Sequence, residues 1–102
     1  MIKHVGQASI MNGEYLSSTI KSLSDLQALA DAMPENSMMY KVAPIGVSQA
    51  VGLPSTRYAM LFLSMDSSMR IIIATSFNQN VGIYKTVRPY AADWREEGWI
   101  SI

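Results

Sequence analysis

"RYAMLFLSMDSSMRIIIATSF", residues 57–77, decides how this chain folds. Two apolar runs, 57–65 and 70–77, flank the short polar link Asp66-Ser67-Ser68. Such a link suits a tight hairpin connection between neighbouring strands. Alternate residues of an extended run share a face. Tyr58, Met60 and Phe62 therefore lie on one side, and Ala59, Leu61 and Leu63 on the other. Both sets are apolar, which predicts a strand covered by a helix on one side and by loops or another subunit on the other. The second run divides into Ile71, Ile73, Thr75 and Phe77 against Arg70, Ile72, Ala74 and Ser76.

Further strands extend the pattern in both directions. "VGIYKTVR", residues 81–88, follows across the polar link "NQN", and "SMMYKVA", residues 37–43, precedes. The intervening "PIGVSQAVGLPST" holds two prolines and two glycines and reads as a long loop. One helix is expected over residues 25–33. Ser24 serves as its N-cap and Gln27 completes a capping-box pattern, worth about 1 kcal/mol. Leu26, Leu29, Ala30 and Met33 form a narrow apolar face, and Pro34 stops the helix. Near the start, Asn12-Gly13 favours a type I′ turn, so residues 5–11 and 14–19 are expected to pair as a hairpin. The predicted class is α+β: a small antiparallel, meander-like sheet of about five to six strands with one short helix packed on it.

The tail "ADWREEGWISI" carries both tryptophans. Read as a closing strand, it places Trp94 and Trp99 on opposite faces unless Gly98 introduces a bulge. Ile100 and Ile102 would then extend one buried face. Tyr90, Trp94, Arg95 and Trp99 combine aromatic faces with polar donors, as sugar recognition requires, and are the candidate ligand-binding residues. At least one tryptophan is expected in the core, with Trp94 the one left to touch a partner. Arg88 and Arg95 suit surface salt bridges.

Composition narrows the function classes. The chain has 102 residues, the length of one domain, and 49% of them are hydrophobic. Eight Lys and Arg balance eight Asp and Glu. This balance removes the electrostatic footprint of a nucleic-acid binder and offers little self-repulsion against association. With no cysteine there is no disulfide, thiol nucleophile or Cys-based zinc site. "MIKHVGQASI" has no apolar run long enough for a signal peptide or a spanning helix, so neither secretory export nor membrane insertion is expected. Most of the eight methionines suit core filling. The sole histidine, His4, has no acidic partner nearby in sequence. Glu96 and Glu97 point apart on a strand, and no phosphate loop or nucleophile elbow occurs. No enzyme activity, metal or cofactor is expected.

The order of elements resembles the small knob domains near the receptor-binding ends of phage tail fibres and R-type pyocin fibres. The residues carrying the resemblance are Asp25-Leu26, Tyr40, Pro54, Leu61, the "RIIIATS" strand, Tyr84, Arg88, Trp94, Trp99 and Ile100. The sequence departs from that pattern at Ser37 or Met38 and at Ala59, where the family has glycine. Its tryptophans are also more widely spaced. The resemblance implies a knob-like domain over residues 22–102, with residues 1–21 as an N-terminal hairpin or fibre lead-in. It implies a non-enzymatic, homotrimeric tail-fibre or tailspike component of the virion tail, assembled in the host cytoplasm. Such a component assists attachment to a bacterial surface through polysaccharide. The alternative is a standalone intracellular interaction protein encoded by a phage: an adaptor, an inhibitor or an assembly chaperone.

Overall fold

The computed structural model describes residues 13–102. It is an α+β fold built on one five-stranded sheet. In chain order the elements are α1 (Leu23–Asp31), β1 (Ser37–Ala43), α2 (Ile45–Ala50), β2 (Tyr58–Ser64), β3 (Arg70–Ser76), β4 (Ile83–Arg88) and β5 (Ile100–Ser101). The strands lie in sequence order, each antiparallel to the next. The predicted meander is therefore present, with links at residues 65–69 and 77–82. Half of the hairpin expected around Asn12-Gly13, residues 5–11, lies outside the described residues. Its other half does not form a hairpin strand: Tyr15 makes an isolated parallel bridge to Val42 at the outer edge of β1.

The sheet buries one face. Tyr58, Met60, Phe62 and Ser64 of β2 are buried, and so are Arg70, Ile72 and Ala74 of β3. They pack with Leu26 and Ala30 of α1, Val47 of α2, and Val51 and Leu53 just beyond it. Leu16 joins the same core. Tyr58 meets Tyr84 edge to face, with ring centroids 6.3 Å apart. Burial, and then the nearby Tyr84, pushes the Tyr58 hydroxyl above its ordinary pKa.

Local chemistry corrects the expected helices. α1 starts two residues early because Ser22, not Ser24, is its N-cap: the Asp25 amide donates to Ser22 Oγ at 3.2 Å. Asp25 reaches back to accept from the Lys21 amide at 2.8 Å. Gln27 is unavailable for capping, since its side chain donates to Thr86 Oγ1 on β4.

The stretch expected to be a loop contains α2. Pro44 is its N-cap, and the Pro44 carbonyl accepts from the Val47 and Ser48 amides. Gly52, at φ +88, ends the helix. The Gly52 amide donates to Gln49 and the Leu53 amide to Ser48, the paired bonds of a Schellman motif. A helix of six residues is stabilised chiefly by packing, here of Val47 and Val51 against the core.

Arg70 holds the end of α1. Its side chain reaches inward and is only 5% exposed. Nε donates to the Ala30 carbonyl at 3.0 Å and Nη2 to Met33 at 3.3 Å. Nη1 donates to Met65 and Met69. A cation among the carbonyls at a helix C-terminus meets the negative end of its dipole. No side-chain nitrogen or oxygen is buried without a partner among the described residues.

Candidate functional site

Two surfaces merit comparison. The first is the C-terminal loop that carries the residues singled out from the sequence. It leaves β4 at Arg88, and the Arg95 amide donates back to the Val87 carbonyl at 2.9 Å. Trp94 and Arg95 line an open groove of about 620 Å³ with Pro89, Ala92, Asp93, Glu96 and Glu97. Tyr90 is 66% exposed and does not line it. Trp99 lies elsewhere, so the four residues do not form one site.

The tryptophans are not on one extended strand, because β5 begins only at Ile100. Between them, the Gly98 amide donates to the Arg95 carbonyl in a turn, and Gly98 adopts φ +69. A Cβ there would also lie 3.2 Å from Leu23 Cδ2, so glycine suits the position twice over. The turn sends the two indoles to different helix ends. Trp94 Nε1 donates to both oxygens of Asp31, at 3.2 and 3.1 Å, at the end of α1. Trp99 Nε1 donates to the Val51 carbonyl at 2.9 Å, at the end of α2. Both rings pack against the core. Ile102 was expected on a buried face, but it is 66% exposed.

The charges of this loop are mostly paired. Arg88 Nη1 meets Asp31 Oδ1 at 2.8 Å, which offsets the unfavourable position of a carboxylate at a helix C-terminus. Arg95 Nη2 meets Glu97 Oε2 at 2.8 Å. The hydrogen bond from Arg95 is the main cause that holds the Glu97 carboxyl down to about 2. A depressed folded-state value makes this pair stabilising above the ordinary glutamate range. That contribution fades as pH falls from about 4.5 through about 2. A carboxyl-detected NMR titration should place the Glu97 midpoint near 2, and Arg95→Ala should return it toward 4.5. An unchanged midpoint in the variant would remove Arg95 as the cause.

The second surface is the other face of the sheet. Cross-strand register places three rows on it. One row is Met38, Leu63, Ile71 and Val87; another is Val42, Ala59, Thr75 and Ile83. Between them run Tyr40, Leu61, Ile73, Lys85 and Ile100. Lys85 is the one charged residue in these rows. Both helices pack on the opposite face. Among the described residues, no helix or strand is stacked over this one.

Met38 is 64% exposed, and Thr75 and Ile83 are also exposed. A depression of about 430 Å³ lies mainly between Met38, Tyr40, Ala59, Leu61, Ile73 and Thr75. The chain enters the described region beside it: a Cβ on Gly13 would stand 2.8 Å from Tyr40 Cε2. The signal for this surface was the second apolar set of β2, read as a covered face rather than as a site. The sequence does not mark Tyr40, Ile73 and Lys85 as site residues, because only the register shows that they form one row. No group of three or more potential metal ligands occurs among the described residues.

Comparison with known proteins yields no relative: no protein family, curated protein or solved structure matches the chain.

Proposed function

We propose that the chain is a non-enzymatic protein-association module that works through the apolar open face of its sheet. One observation carries the reading: three adjoining cross-strand rows, apolar apart from Thr75, contain a single charge, Lys85. An apolar patch of this extent is characteristic of an interaction surface, whereas scattered exposed hydrophobes are ordinary. Its depression has apolar walls but few convergent polar groups, so it is better suited to side chains of a partner than to a reacting substrate.

A second reading is favoured by the groove shared by Trp94 and Arg95. In the fibre setting that the resemblance suggests, the apolar face joins the domain to its assembly. The groove then meets a bacterial surface polysaccharide. In the intracellular setting the face alone does the work.

An apolar dye and a polysaccharide test these readings on the full chain. At a dilution of roughly 1 µM or below, anilinonaphthalene sulfonate should gain emission on binding the face, and Ile73→Lys should remove that gain. No dye binding at a dilution where the chain is shown to be monomeric would sink the association reading. Cell-surface polysaccharide that binds the native chain but not Arg95→Ala would support the fibre setting. Equal binding by both would remove the groove from it.

A further inference from the structure

We propose that a second copy of this chain seats on the open face, sheet against sheet, about a twofold axis running along the strands. This rests on the reading of that face as an association surface and names its partner. Size, charge and the position of Lys85 support it.

The size of the face suits another sheet. Four long strands spaced about 4.8 Å apart, with roughly 3.3 Å per residue, give a footprint of about 19 by 23 Å. Two such faces bring together about 900 Å² before corrugation is counted, near the lower bound for a specific interface of about 1,000 Å². Tyr15 and Ile100, which flank the face, add to it. A second sheet, stacked about 10 Å away, matches both dimensions.

Charge permits self-pairing. The chain has no net charge, and the face brings one ammonium group per copy. An isologous contact uses the same patch twice, so the position of that group chooses between the two in-plane axes. With the axis across the strands, β4 lies over β4 and Lys85 faces Lys85, because it sits in the central row. Like charges opposed in a contact excluding water are strongly disfavoured. With the axis along the strands, β2 lies over β3 and β4 over β1. Lys85 of each copy then faces Tyr40 of the other, whose ring face and hydroxyl both accept a cation.

Sedimentation equilibrium of the full chain from about 1 to 100 µM tests the proposal. The expected result is a monomer–dimer equilibrium, in keeping with an interface of modest area. Ile73→Lys should be monomeric throughout. Thr75→Lys changes an already exposed position, should leave thermal unfolding unaltered at a dilution where the chain is monomeric, and should weaken the dimer at least tenfold. A dimer indifferent to both substitutions would place the contact elsewhere and overturn the proposal.

Mixing native chain with Lys85→Glu tests the axis. The proposed axis gives mixed dimers near the statistical fraction, whereas a clear excess would mean that position 85 faces itself and would refute this axis. A trimer would refute the twofold pairing and favour the fibre setting. A monomer at 100 µM that binds dye at dilution would exclude the second copy and leave the association reading standing. A monomer that binds no dye would overturn both.

Discussion

Replacing Arg70 with methionine is expected to lower the stability of the fold by about 3 kcal/mol, although the new side chain is apolar and of similar length. Arg70 donates to four carbonyls, those of Ala30, Met33, Met65 and Met69. Two keep other donors: the Met33 amide serves Ala30, and the Met65 amide serves Met69. Those of Met33 and Met65 lose their donor, each at a cost of about 1–3 kcal/mol where water cannot replace it. The helix end also loses the cation that meets its dipole. Arg70→Lys should recover part of the loss, because an ammonium keeps the charge but cannot span carbonyls from separate segments as a planar guanidinium does. Urea unfolding checks the series. A loss below about 1 kcal/mol for Arg70→Met would show that water reaches these carbonyls, and would remove Arg70 as the tie between α1 and the sheet.

The second large effect is a contrast between adjacent residues. Phe62→Ala should cost about 3–5 kcal/mol, because its ring is fully buried in the core and its removal leaves a cavity. Leu61→Ala should cost only about 1–2 kcal/mol at a dilution where the chain is monomeric, since Leu61 lies partly buried on the open face and its loss leaves no enclosed cavity. The total stability of a domain is about 5–15 kcal/mol, so the first change brings the protein close to unfolding and the second does not. Thermal unfolding distinguishes them. Similar losses would mean that the open face is packed as tightly as the helix side.

The same two residues show what the sequence made legible. Parity separated Tyr58, Met60 and Phe62 from Ala59, Leu61 and Leu63, and the short polar links fixed the antiparallel order of the sheet. Parity alone does not say which set of β3 faces inward. Arg70, Ile72 and Ala74 point to the helices because Arg70 supplies donors that the end of α1 needs, and that bond spans 40 positions in sequence. The sequence points to Ser24 and Gln27 as the start of α1, but Ser22 caps the helix and Gln27 donates instead to Thr86, 59 positions away. α2 leaves a local trace in the sequence: Gly52 followed by apolar Leu53 is the mark of its C-terminal motif.

The candidate site was less legible for a related reason. Trp94, Arg95 and Trp99 share a short segment, but the turn at Gly98 gives the indoles different partners. The rows of the open face draw on four or five strands. Their residues become neighbours only after β1 to β5 have paired, so no window of sequence contains them.

The placement of the two indoles also determines what light can report about this molecule. Trp94 and Trp99 are its only tryptophans, and each donates its ring N–H at the end of a different helix. Their emission therefore senses the docking of α1 and α2 onto the sheet from two separate points. Far-ultraviolet dichroism senses the backbone of the whole molecule, so agreement between these signals is a direct test of whether helices and sheet unfold together. The open face contains tyrosine and no tryptophan. An indole introduced there, for instance at the exposed Met38, would give that surface its own optical channel.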